Sequence, residues 1–258
     1  MKLYLHFFSM HLKSRMAYKK SFFFSVVGQF LAAFAAVVTI WFLFARFESV
    51  RGYTLGECML CTGVILMSFS LAECFFRGFD RFSRVVREAQ FDRLLLRPRS
   101  LIFQLICQEI EFARLGKLLQ GALMLGYGVA ASGIAWTPAR AAVLAGMVLG
   151  GTAVFASLFL LYAALCFFTL EGLEFMNVFT DGAREFAAYP LDVYGTAILK
   201  FCTYIVPYAL FQYYPLTYLL GRTDSPLCAL APLAAPLFAL PCWIVWRVGV
   251  RKYQSAGS

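Results

Sequence analysis

Apolar residues gather in long unbroken runs along this chain, and charged residues fall in the short stretches between them. A helix needs about 20 apolar residues to cross the hydrocarbon core of a bilayer. Runs at 22–45, 55–76, 118–136 and 141–170 meet that length, as does 227–246 despite Pro232, Pro236 and Pro241. Between the last two, the stretch 171–220 has two readings. Hydropathy favours a surface helix at 171–189 followed by a span at 198–220. The other reading makes 171–189 the fifth span, with a polar arc of Glu171, Glu174, Asn177, Asp181, Arg184 and Glu185 opposite Leu173, Phe175, Met176, Phe179 and Phe186. Pro190, Pro207 and Pro215 then break a re-entrant hairpin. At 1.5 Å per residue such a span covers about 28 Å, just enough to cross. Each charge facing lipid at mid-depth would cost about 2.5–3.5 kcal/mol, so the arc must face water or a partner subunit. Either way the number of spans is six.

The first twenty residues read differently. Leu3, Phe7 and Met10, with Phe8 and Leu12, alternate with Lys2, His6 and Lys13. This is the pattern of a basic amphipathic helix lying in the headgroup plane. No cleavable leader is expected, because the apolar run that follows is too long for a signal peptide. The remainder, 21–258, reads as one transmembrane domain with a charged loop at 77–117. Within that loop Phe82, Val85, Val86 and Ala89 recur at i, i+3, i+4 and i+7, which predicts a short amphipathic helix. An apolar knot of Leu94, Leu95 and Leu96 follows, and the helix should stop at Arg97, before Pro98. A second helix is expected from near Leu101 through Ile110 into the third span. Helices lying on the membrane surface with snorkelling arginines and a surface that docks another protein fit this pattern equally.

Composition fixes the class. The chain is 61% hydrophobic and 14% charged, against about 45–50% and 25% for soluble domains. It is an all-α integral membrane protein. The net charge is +9, and its distribution sets the orientation. Counting Lys and Arg, five lie in the first twenty residues, nine in 77–117 and three after 246, against Arg46, Arg51, Arg140 and Arg222 on the other side. Both termini and the loop are therefore expected in the cytoplasm. Charges at span ends suit anionic headgroups of membrane lipids, and nucleic acid is not an expected partner.

Candidate chemistry is sparse. Cys58 and Cys61 form a CxxC, but no second pair exists, and His6 and His11 lie far off in sequence. Zinc needs four ligands, or three and water, so these read as apolar thiols and no metal is expected. No nucleophile, base and stabiliser can be named as a catalytic set. A phosphate-binding G-x-x-x-x-G-K-[ST] is absent from the sequence, the nearest fragment being "RLGKLLQ". The ionisable residues of the clear spans are Glu57 and Glu73, near the ends of the second. An ion-coupled secondary transporter, which uses intramembrane relays, and a non-transporting scaffold are the alternatives. Small residues at Ala142, Gly146 and Gly150, and at Gly128 and Ser132, permit close helix packing, read here as packing within one subunit.

Several segments in order, "FDRLLLRPRSLIFQ", "EFARLGKLLQG", "EGLEFMN", "YPLDVY", "IVPYALFQYYPLTYLLG" and "GVRKYQSAGS", resemble the membrane subunits of ABC-2-type transporters, in a branch of bacterial exporters. The resemblance runs from about Arg15 to the last residue. It implies an inner-membrane permease of six spans, paired with a second copy or a homologous permease, and a re-entrant element before the last span. It also implies separate ABC ATPase subunits that carry the ATP and Mg. The loop after the second span would be the coupling helix. On that reading Phe82, Val85, Phe91, Leu94, Leu95 and Leu96 fill a groove of the ATPase, while Arg84, Arg87, Asp92 and Arg93 fix the register. The polar arc from Glu171 to Glu185 would face the translocation pathway.

Overall fold

The computed structural model describes residues 2–169 and 174–253, and these are mostly helical, with one isolated bridge between Val50 and Tyr53. Helix α1 (Lys2–Met16) precedes a 28-residue helix, α2 (Lys19–Arg46). The central element is α3 (Leu55–Asp80), buried along most of its length and started by a capping box in which Thr54 and Glu57 satisfy each other's backbone N–H groups. The charged loop supplies α4 (Phe82–Arg87), α5 (Gln90–Leu95) and α6 (Leu101–Gln108). Then come α7 (Leu115–Ala131) and α8 (Pro138–Thr169), which flank α3. Among the described residues four helical stretches are long and apolar enough to cross a membrane: Lys19–Arg46, Leu55–Arg87, Pro138–Thr169 and Pro226–Lys252. The run expected at 118–136 is a 17-residue helix that begins three residues earlier and stops at Ala131.

Close backbone approach holds the bundle around α3. A Cβ on Gly128 of α7 would lie 2.5 Å from the Leu60 nitrogen, and one on Gly150 of α8 would lie 2.6 Å from the Pro232 carbonyl oxygen. Both small-residue motifs therefore work inside the subunit, where only hydrogen fits between backbones. The last apolar run is one rod in three pieces: α13 (Pro226–Ala234), a 3-10 turn (Ala235–Phe238) and α14 (Ala239–Lys252). Pro232, Pro236 and Pro241 remove N–H donors along it, and the turn tightens where they do.

The loop departs from expectation at one point. The helix from Leu101 ends at Gln108 instead of running on into α7, and Glu109 is extended. Burial explains the break. Ile110 and Phe112 pack with Cys74, the Glu111 N–H donates to the Cys74 carbonyl at 3.1 Å, and a 3-10 turn (Phe112–Arg114) leads into α7.

The stretch after α8 folds back on itself. A π-turn at Val178–Gly182 leads into α9 (Ala183–Phe186). From there the chain climbs antiparallel to α3. The Arg184 guanidinium lies 5.5 Å from the Phe69 ring, the Ala188 carbonyl accepts from Thr62 at 2.9 Å, and the Asp192 carboxylate accepts from the Tyr53 hydroxyl at 2.9 Å. Helix α10 (Thr196–Tyr204) then runs back, its Phe201 stacked on Phe179 at 6.4 Å. The turn at Ile205, Val206 and Pro207 lies at the depth of Phe155 and Phe69, half-way along α3, and Tyr208 donates to the Phe179 carbonyl there. Helices α11 (Tyr208–Phe211) and α12 (Tyr213–Leu219) return to where they started, and Arg222 donates to the Gly52 carbonyl at 2.8 Å. The run 198–220 is thus a hairpin, not one straight helix. Buried Gln212 staples it, donating to the Ala187 carbonyl at 3.2 Å and the Tyr189 carbonyl at 2.8 Å.

Candidate functional site

Two regions carry the polar chemistry: the loop at the basic end of the bundle, and a cavity beside α3. At the loop, Phe82 and Phe91 meet edge to face at 5.4 Å, and each also touches Phe167 at the end of α8, at 5.0 and 5.1 Å. Trp246 lies 5.2 Å from Phe82, and Tyr253 lies 4.8 Å from Phe91. Edge-to-face pairs add about 0.5–1.5 kcal/mol each beyond burial, so α4 and α5 are fastened to the ends of α8 and α14. Gln104 braces the turn that follows by donating to the Leu94 and Arg99 carbonyls, both at 3.0 Å.

This changes the expected docking set. Phe82, Val85, Phe91 and Leu94 are buried in the subunit's own core, so they cannot also fill a partner's groove. They hold the platform. Leu95 is 46% exposed and Leu96 86% exposed, and these two stand out as apolar side chains. Arg84 and Arg87 are exposed on α4 and Arg93 on α5, with Asp92 half-buried.

The basic end is tied together by ions. Arg81 bridges Glu109 and Glu111, the second at 3.2 Å, and Arg15 reaches Glu111 at 3.5 Å. Burial pushes the Glu109 carboxyl above its usual range, and Arg81 opposes that rise. Deeper in, Glu73 is 2% exposed and gathers three cations. Its carboxylate lies 3.3 Å from Arg77, 3.1 Å from Arg114 and 3.1 Å from Lys117. Lys117 falls inside α7, one residue before the apolar run expected at 118–136, so the helix carries a buried cation that the apolar run itself lacks.

Beside this cluster is a cavity of about 380 Å³. Small residues of α2, among them Ala32, Ala33, Ala36 and Thr39, form one wall. Arg114, Lys117, Arg184 and Glu185 line the other. Lys117 and Arg184 both sit on the buried Phe69 ring, 5.6 and 5.5 Å from its centre, within cation–π range. Of the expected polar arc, Arg184 and Glu185 reach this cavity and pair with each other. Asp181 lies 3.9 Å from Arg184, while Glu174 and Asn177 are exposed elsewhere, and Glu171 lies outside the described residues.

The model of the family described as "ABC-2 family transporter protein" matches residues 30–257. The chain belongs to the ABC-2 transporter family. Searches of the curated proteins and of the solved structures found no match. In this ABC-2 protein the Glu73 hub escapes a reading of the sequence because its partners are non-local. Lys117 lies 44 residues away, just outside the apolar run. The available signal was the lone carboxylate of "LAECFF" set against the Lys of "RLGKLLQ". Cys58 and Cys61 are buried in α3, where the Gln212 amide nitrogen lies 3.1 Å from the Cys61 sulfur.

Proposed function

We propose that this chain is the six-span permease subunit of an ABC-2 exporter of the bacterial inner membrane, driven by ATP and Mg bound on a separate ATPase. What carries the reading is the family match joined to the Leu95–Leu96 tip, an exposed apolar pair flanked in sequence by the exposed Arg93 and Arg97. Apolar anchors inside a polar rim are the usual form of a docking contact. The fifth span is then the stretch ending near Asp192, and 196–219 is the re-entrant element before the last span. The cavity between α2 and α3 belongs to the translocation pathway, since ionisable groups at membrane depth mark such routes. A second permease copy completes the pathway, and the exposed aromatic face of α2, which includes Phe34, Trp41 and Phe42, is open to it or to lipid.

The purified chain alone is expected to hydrolyse no ATP, and robust hydrolysis would sink the assignment. Leu95→Asp is expected to cut recovery of a co-expressed ATPase by at least about tenfold, because docking would bury an unpaired carboxylate. Arg46→Ala, at the far end of the bundle, should leave recovery unchanged. Equal recovery with both variants counts against the docking surface.

Orientation has its own test. Lys200→Cys, in a Cys228→Ser background, should react with a membrane-impermeant maleimide added to intact cells. Lys200 is exposed on the first limb of the hairpin, and Cys228 is the least buried of the native cysteines. Labelling that appears only after the membrane is opened would reverse the assigned sides.

A further inference from the structure

Helix α1 carries two apolar stripes with different surroundings. Tyr4, Phe8 and Leu12 sit on the cluster of Cys74, Ile110 and Phe112, and His11 is tied to the Cys107 carbonyl at 3.0 Å. Leu3, Phe7 and Met10 instead line an open groove of about 460 Å³, with Leu94 and Phe103 across from them. Arg93, Arg97 and Arg99 line the same groove, which holds no carboxylate. Among the described residues none of these three guanidiniums makes an ion pair, whereas Arg15, Arg77, Arg81 and Arg114 all do.

Three un-neutralised cations beside an apolar strip call for a ligand with both characters. The groove lies at the basic end of a membrane protein, where the spans meet the headgroup layer. Leu3, Leu5 and Met10 are between 40% and 58% exposed there. We propose that this groove binds an anionic phospholipid, with its phosphate on Arg93, Arg97 and Arg99 and an acyl chain along Leu3, Phe7, Met10 and Phe103. Guanidiniums suit this because they offer paired donors to phosphate oxygens and are weakly hydrated. Leu95 and Leu96 are not part of the groove wall. Arg93 is the one residue that both surfaces use, while Arg97, Arg99 and the apolar strip belong to the groove, so lipid binding by the chain alone does not depend on the docking assignment.

The test uses the purified full chain in neutral detergent, without ATPase, titrated with phosphatidylglycerol or phosphatidylcholine and followed by native mass spectrometry and thermal melting. Phosphatidylglycerol should be retained in preference to phosphatidylcholine and should raise the melting temperature. Replacing Arg93, Arg97 and Arg99 by Gln should lower its affinity by about fivefold per arginine. Phe7→Ser with Met10→Ser should weaken phosphatidylglycerol while leaving any effect of inorganic phosphate intact. Equal retention of the two lipids, or phosphatidylglycerol binding that survives the triple Gln variant, would overturn the proposal. So would inorganic phosphate alone reproducing the full stabilisation at equal concentration, which would make the site one for a free anion.

Discussion

Glu73→Ala is expected to destabilise the purified protein by about 3–5 kcal/mol, the cost of removing one partner from a buried ion pair. The residue accepts from three cations at once, and Lys117, with 9% of its side chain exposed, has few other places to put its charge. Alanine would take away the carboxylate that Lys117 pairs with, while Arg77 keeps Asp80 at 2.9 Å and Arg114 keeps the Gln29 side-chain oxygen at 2.8 Å. Glu73→Leu combined with Lys117→Met should recover part of the loss, because apolar residues of similar size often replace a buried pair without penalty. Comparing both single variants with the double one isolates the coupling. A Glu73→Ala protein that melts within about 1 kcal/mol of the parent would show that the cluster contributes little.

Phe91→Ala should be nearly as severe, at about 3–5 kcal/mol for deleting a buried aromatic ring. Its effect should be local in form. Phe91 is fully buried and touches Phe82, Phe167 and Tyr253, so its loss frees α4 and α5 while α3, α7 and α8 keep their packing. Limited trypsin digestion reads this directly. Cleavage at Arg84, Arg87 or Arg93 should accelerate in the variant, with the transmembrane fragments still folded. Leu96→Ala, which removes an exposed side chain, should cleave at the parental rate. Acceleration of equal size in both variants would mean that the rings do not hold the loop.

The long helices were legible because twenty apolar residues in a row have few other uses. The loop's helical pattern was legible too, since Phe82, Val85 and Val86 recur at helical spacing and are buried. What that pattern could not say was against what. A face apolar enough to dock on a partner, lie on lipid or pack on its own subunit has the same periodicity. Trp246 and Tyr253, which decide the matter, lie more than 150 residues away in sequence. The hairpin at 196–219 was half-legible. Pro207 and Pro215 mark breaks, but the apolar content of both limbs imitates one straight span, and Gln212, which staples the fold, is an unremarkable residue in the chain. The cavity was missed for a third reason. Arg184 and Glu185 were visible as polar positions, but their neighbours Arg114 and Lys117 stood at the edge of a different apolar run.

The aromatic fastening of the loop bears on how freely parts of such proteins can be exchanged. A loop of about forty residues with charged ends looks like a cassette that could be moved between relatives. Here the cassette is cut to a socket. Phe82 and Phe91 need Phe167 at the end of α8, and Trp246 and Tyr253 at the end of the chain, to receive them. A graft of 77–117 alone would carry two large rings into a host without matching partners, and leave three behind in the donor. A working chimera must take the last turns of α8 and α14 along with the loop, so these segments form one unit of inheritance though they are far apart in sequence.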